Sequence, residues 1–273
     1  MGTMCECRGG IVEALKANFY GNGTQTLVLA HGFGTDQTVR HYLIPYLACY
    51  FKVLVFDLAF SPNVSSQVYD PSKYATFDAY AQDFVCLLDQ LNLKKTVYVG
   101  HSMSAMIGCL AATKRPELFE HLILLSGSPR YLNAKGYEGG FTRSELNTIF
   151  KAMSQNFSSW AHSFSRIAVG VHNSAAIAGF EYSLRRRKPK IALSVARTVF
   201  LSDMRWVLPR ITVPCTIIQS RKDYIVPKSV AFYIKRHLGF HSTVKILKTQ
   251  GHFPQLAAYH LLVKVLKGSL FVE

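Results

Sequence analysis

The stretch from Thr96 to Ala112 constrains this chain most. A β-branched and aromatic run, Thr96-Val97-Tyr98-Val99, passes through Gly100-His101-Ser102 into Met103-Ser104-Ala105, and the small residues Gly108, Ala111 and Ala112 follow. The run suits a buried strand, and the small residues suit a helix whose backbone lies close against that strand. A serine on so tight a strand-to-helix turn is held up at the carboxyl end of a sheet, where a nucleophile is needed. The glycine usual two residues after such a serine is Ser104 here. A serine between a strand and a helix is common by itself, so the rest of the chain must supply a parallel sheet and the serine's partners.

The sheet is legible in near-continuously apolar runs at Thr26–Ala30, Val53–Phe56, Thr96–Val99, Leu122–Leu125, Cys215–Gln219 and Val244–Leu247. Such runs are typical of strands covered on both faces, and their alternation with helical patterns predicts a mostly parallel α/β sheet. No strand is expected between the fourth run and the fifth. There Thr142 and Glu145 form a capping-box pattern, followed by Leu146, Ile149, Phe150, Met153 and Phe157 at helical spacing. Trp160 and Phe164 continue that spacing, Ile177, Phe180 and Leu184 mark another amphipathic stretch, and Pro189 opens a last one. The expectation is one domain over 1–273, with a helical lid at about 135–208 inserted over the working end of the sheet. With 49% hydrophobic and 17% charged residues, the chain has enough apolar side chains for a large core.

A serine hydroxyl needs a base to remove its proton. In sheets with such a turn the partners follow in the order serine, acid, histidine, each in a loop after a later strand. Asp223 follows the run Cys215–Gln219, and His252 follows Val244–Leu247 within Gln250-Gly251-His252-Phe253-Pro254. Asp203 is the rival acid, disfavoured because it lies in the helical insertion and not after a strand. His101 is expected to point away from the serine and pack. The developing oxyanion would be met by the N–H of Met103 and by that of Phe33, in the glycine-flanked loop His31-Gly32-Phe33-Gly34 after the first run.

The formal charge is +15, from 31 basic and 16 acidic residues. The excess is spread along the chain and is densest at Arg185-Arg186-Arg187-Lys188-Pro189-Lys190, either a solvated helix end or a docking site on the outer face of the lid. No metal-ligand spacing or glycine-rich phosphate loop appears, so no metal or organic cofactor and no nucleic-acid partner are expected. The lack of a long apolar run or a secretory signal leads to an expectation of no membrane and of a cytoplasmic and nuclear location. Six cysteines are too few for a disulfide scaffold. Cys49, Cys86, Cys109 and Cys215 are expected to be small core residues, while Cys5 and Cys7 lack the further ligands that a metal site needs.

The linked motifs His31-Gly32-Phe33-Gly34-Thr35-Asp36-Gln37, Gly100-His101-Ser102-Met103-Ser104-Ala105-Met106-Ile107-Gly108 and Ser128-Pro129-Arg130-Tyr131-Leu132-Asn133 resemble those of the plant strigolactone and karrikin receptor family. So do Gly139-Gly140-Phe141, Ala168-Val169-Gly170, Arg197-Thr198-Val199-Phe200-Leu201-Ser202-Asp203 and Gly251-His252-Phe253-Pro254-Gln255-Leu256. The likeness spans nearly all of the chain after the first ten residues, and a bacterial stress-signalling hydrolase is a more distant match. It implies an α/β-hydrolase core with a four-helix lid over a deep apolar pocket, without cofactor. It also implies slow hydrolysis of a small apolar butenolide-type ligand, and signalling through an F-box protein of a ubiquitin ligase and Clp-ATPase-like repressors.

Carried over residue by residue, the resemblance implies a triad of Ser102, Asp223 and His252 and oxyanion amides of Phe33 and Met103. The implied pocket wall is Phe33, Tyr131, Phe141, Ile149, Trp160, Phe164, Phe180 and Phe200, side chains whose ordinary role is packing between helices. The sequence departs from the family at Arg40, where tryptophan is usual, at Leu58-Ala59-Phe60-Ser61-Pro62, and in the basic run after Ser183. These departures are expected near the lid or on the surface. A multiple-turnover carboxylesterase and a non-hydrolytic ligand sensor are the competing readings, since both tolerate the same serine.

Overall fold

The computed structural model describes residue 7 and residues 9–270. Among them the strands are β1 (Asn18–Tyr20), β2 (Thr26–Ala30), β3 (Lys52–Phe56), β4 (Thr96–His101), β5 (Phe119–Leu125), β6 (Cys215–Lys222) and β7 (Ser242–Gln250). They form one sheet in the order β1-β3-β2-β4-β5-β6-β7. All neighbours are parallel except β1, which runs antiparallel to β3. The six runs seen in the sequence are the six parallel strands. β1 escaped notice because Asn18, Phe19 and Tyr20 are all exposed and show no apolar alternation.

The helices are α1 (Ile11–Ala14), α2 (Ile44–Leu47), α3 (Phe77–Gln90), α4 (Met103–Lys114), α5 (Arg143–Gln155), α6 (Phe157–Val169), α7 (Ser174–Arg185), α8 (Pro189–Leu201), α9 (Lys228–His237), α10 (Pro254–Ala257) and α11 (Tyr259–Leu270). Alternate strand residues divide between two apolar layers, as a period of two requires. Leu27, Leu29, Val97, Val99 and Ile123 pack with Leu262 and Leu266 of α11. Val28, Ala30, Tyr98, Leu122 and Leu124 pack with α3 and α4 in the larger layer, which continues into α5–α8. None of the helices is long and apolar enough to cross a membrane, among the described residues.

Local chemistry sets the breaks between α5 and α8. Thr142 and Glu145 close their capping box at the start of α5. The apolar spacing that runs on through Trp160 and Phe164 is split at Asn156, whose side chain accepts from the Ser159 N–H at 2.9 Å and begins α6. Gly170 ends α6 in the left-handed region, at φ 69°, and Asn173 caps α7 through the Ala176 N–H. Pro189 opens α8.

One cysteine expectation is corrected and another is extended. Cys86 is buried in the core as expected, and it is also bonded to Cys7, with Cα atoms 5.4 Å apart, a long-range pairing with no local sequence signal. Cys49 is exposed, on a short turn rather than in the core, whereas Cys109 and Cys215 are buried. Cys5 lies outside the described residues.

Candidate active site

β4 delivers Ser102 to the start of α4 with φ 57° and ψ −123°, a conformation disfavoured for any residue with a Cβ. The fold enforces it by close approach on both sides. A Cβ at Gly100 would sit 2.5 Å from the Ser104 carbonyl oxygen, and one at Gly32 would sit 2.9 Å from the Ser102 Cβ. The Ser102 N–H is anchored to the Leu125 carbonyl at 2.9 Å. α4 itself is buried along residues 103–112, and Gly108 lets it rest on the Tyr98 ring.

Ser102 Oγ donates to His252 Nε2 at 2.8 Å, and His252 Nδ1–H donates to Asp223 Oδ2 at 2.8 Å. Asp223 only accepts, so it fixes the tautomer: Nδ1 carries the proton and Nε2 is free to take one from the serine. Asp223 is itself held by the N–H groups of Ile225 and Val226 at 2.8 and 3.1 Å, and by Gln219 Nε2 at 3.0 Å. Asp203 is engaged elsewhere, paired with Arg130 and Arg205. Partial burial raises its pKa, but hydrogen bonds from Arg205 and Arg130 outweigh this and hold it at about 2.

Three supporting groups went unrecognised in the sequence. Gln219 lies on β6, four residues before the acid, and looks like any polar strand residue. Tyr131, expected only as pocket wall, places its hydroxyl 3.3 Å from Ser102 Oγ. His101 packs its ring against His252 and Phe253 and also donates Nε2–H to the His252 carbonyl at 2.7 Å. Burial, reinforced by the nearby His252 and Arg40, pushes its pKa well below the ordinary value, so it serves as a neutral strut.

The loop of Phe33 is built on another neutral histidine. His31 is fully buried; its Nδ1–H donates to the Gly32 carbonyl, and its Nε2 accepts from the Leu58 N–H at 2.9 Å and the Ser61 hydroxyl at 3.0 Å. Burial lowers its pKa to about 4, against the opposing pull of Asp57. Gly34 follows at φ 80°, leaving Phe33 beside Ser102 in the wall of the site. Met103 is the first residue of α4, so its N–H has no partner within the helix.

The space above Ser102 is bounded by Phe33, Tyr131, Phe164, Phe180 and Phe200, and also by Val199, Ile225 and Phe253. Phe141, Ile149 and Trp160 do not line it. Phe141 packs edge-on to Phe200 at 5.5 Å, Trp160 stacks on Phe164 at 4.8 Å, and Ile149 packs against the core. The deep pocket implied by the resemblance is not open: the space is about 10 Å³, enough for one water molecule. Among its walls is the Phe180 ring, seated 4.1 Å from Phe253 and against Gly34.

The departures at Arg40 and at Leu58-Ala59-Phe60-Ser61 are internal. Arg40 is wholly buried and donates Nη2–H to the Ala30 carbonyl, at the foot of the Phe33 loop. Of the basic run only Arg187 is buried; Arg185, Arg186, Lys188 and Lys190 are exposed, as expected of the lid's outer face. Arg186 reaches Asp36 at 3.4 Å and Asn63 at 2.6 Å, and Arg187 is 4% exposed and donates to the Ser183 carbonyl. Burial lowers the Arg187 pKa to about 10, although Asp36 and Asp57 pull it up. The end of α7 is thereby fastened to the loops after β2 and β3.

Residues 25–259 match the model of the family described as alpha/beta hydrolase fold. The chain belongs to the α/β hydrolases. Within this family it is 45% identical to a strigolactone esterase of Arabidopsis thaliana, over 95% of this chain and 97% of that one. It is 42% identical to a karrikin insensitive 2 receptor of Petunia hybrida, over 94% and 96%. A hydrolase from Oleispira antarctica superposes with a TM-score of 0.92 at 29% identity, over 96% of each chain. As an α/β hydrolase with Ser102, His252 and Asp223 in register, the chain is a serine hydrolase.

Proposed function

We propose that this hydrolase perceives small butenolide-type ligands of the strigolactone and karrikin kind and hydrolyses them slowly, with Ser102 as nucleophile. The unbroken chain from Ser102 Oγ through His252 to Asp223, with both links at 2.8 Å, carries this reading. The names of its relatives, an esterase and a receptor, supply the ligand class. Ser102 Oγ attacks the ester carbonyl carbon while its proton passes to His252 Nε2. The N–H groups of Met103 and Phe33 receive the developing oxyanion. Collapse of the adduct breaks the bond to the leaving oxygen, which takes the proton from His252. Water then attacks the acyl-serine, delivers its proton through His252 to Ser102, and releases the acid.

The closed space above Ser102 supports slow turnover, since a ligand larger than water must first displace aromatic side chains. Turnover of a fluorogenic butenolide beside a simple aryl ester, with melting temperature followed in parallel, tests the reading. Single-turnover kinetics and a ligand-dependent shift are expected. Fast repeated turnover of both, without any shift, would leave a small-ester carboxylesterase, the reading that the tight site otherwise favours. Butenolide shifts identical in Ser102→Ala and unaltered protein, with no hydrolysis by either, would leave a non-hydrolytic sensor.

Signalling through an F-box protein and Clp-ATPase-like repressors belongs to the same proposal. Exposed Ile167 on α6 and Tyr182 on α7 support it as lid-borne apolar contacts. Ligand-dependent capture of those two protein classes, lost in Ile167→Glu, is the test. A cytoplasmic and nuclear location is also proposed. The Cys7–Cys86 bond is in tension with it, since reducing compartments disfavour disulfides. Imaging of the tagged chain with thiol labelling of Cys86 decides between them.

A further inference from the structure

On the far side of Phe180 from Ser102 lies a second cavity. It is a cleft of about 250 Å³ between α7 and the turn at residues 35–41, walled by Thr38, Val39, Gly179, Tyr182 and Leu256. Phe180 is the one described residue that lines both this cleft and the space above Ser102. Its ring is 1% exposed and fills the gap between Gly34 and Phe253. Phe180 thus stands between a reacting centre with room for a single water and a cleft approaching the size of small-molecule sites.

We propose that Phe180 is the gate between the two, and that the cleft takes the leaving-group half of a bulky apolar ester. The side on which it opens assigns the half. His252 must hand its proton to the leaving oxygen, so the leaving group lies on the His252 side of the scissile carbonyl. Phe253, the next residue, packs on the gate, and Leu256 of the following turn walls the cleft. The acyl half is left in the tight space against Phe33, Tyr131 and Phe200, which restricts it to small groups. The inference rests on the hydrolase reading and needs no signalling role.

Gly179 offers a variant that spares both the gate and the triad. It is exposed, and a Cβ there would meet nothing within 4 Å, so Gly179→Trp fills the cleft from a permissive helix position. With 2-naphthyl acetate, Gly179→Trp should lower kcat/KM about tenfold or more, while ethyl acetate stays within about twofold. Phe180→Leu should raise kcat/KM for 2-naphthyl acetate relative to ethyl acetate. In a Ser102→Ala background, Gly179→Trp should weaken calorimetric affinity for intact 2-naphthyl acetate by a similar factor. Equal losses for both esters, or unchanged affinity in that background, would overturn the gate. The affinity measurement judges it even if the unaltered chain hydrolyses neither ester, a result that would instead sink the hydrolase reading.

Discussion

The backbone N–H of His252 donates to the carbonyl of Ala168 at 2.7 Å. Ala168 is the penultimate residue of α6, so the catalytic base hangs from the lid. The contact is close enough that a Cβ on the preceding Gly251 would lie 1.7 Å from the Val169 carbonyl oxygen. Movement of α6 that breaks this bond removes one of the backbone anchors of the histidine and leaves the His101 bond to its carbonyl.

Gly251→Ala should therefore damage both the lid and the triad. The residue sits at φ 86°, and the new Cβ has no room. A stability loss above about 1 kcal/mol is expected, with a fall in kcat. Thermal melts beside aryl-ester kinetics check this; a normal melt with normal turnover would mean that the α6 contact is dispensable.

Ser102→Ala should reduce turnover by about 10⁶-fold, because the hydroxyl is the only group lost and it is the one that reacts. The fold should be unaltered by circular dichroism. Near-normal turnover would refute the serine mechanism.

Asp223→Asn and His252→Ala should each be crippling, and neither should add much to Ser102→Ala, since the three groups act as a unit. Asp203→Asn should leave kcat alone and cost about 1 kcal/mol or less through its partly exposed pairs with Arg130 and Arg205. Equal kinetic damage at the two aspartates would reverse the assignment of the acid.

The strands and the triad were legible because each depends on local pattern: apolar runs for the strands, loops after strands for Asp223 and His252. What the sequence hid depends on contacts between distant segments. Gln219 and His101 act on groups whose neighbours are set only by the folded sheet. Trp160 and Phe164 share one helical face, yet only Phe164 turns to the site, because a helix's apolar stripe does not say which part of it meets a neighbouring ring. The basic run was legible only in part, since Arg185, Arg186, Lys188 and Lys190 are exposed while Arg187 is buried. A charge cluster normally marks solvent, and nothing local to Arg186 and Arg187 reveals that Asp36, Asp57 and Asn63 stand opposite.

Stability should fall in mild acid. His31 titrates at about 4 when folded against 6.5 in the unfolded chain, so the unfolded state binds the proton more readily between those values. Its contribution is complete above pH 6.5 and is lost as pH falls towards 4, by about 3 kcal/mol in all. Buried His101, shifted in the same direction, adds to the slope. Denaturant melts from pH 7 to 4 should show the decline, and His31→Gln should flatten it. A flat profile for the unaltered chain would mean that His31 is charged in the fold.

The positive φ of Ser102 has an evolutionary consequence. Folding alone would select glycine at this position, since a side chain there carries a strain of about 1–3 kcal/mol that glycine escapes. Catalysis alone retains the serine. A lineage that no longer needed hydrolysis would thus be drawn towards glycine by stability itself, so the residue at 102 in any descendant is a record of whether chemistry is still under selection.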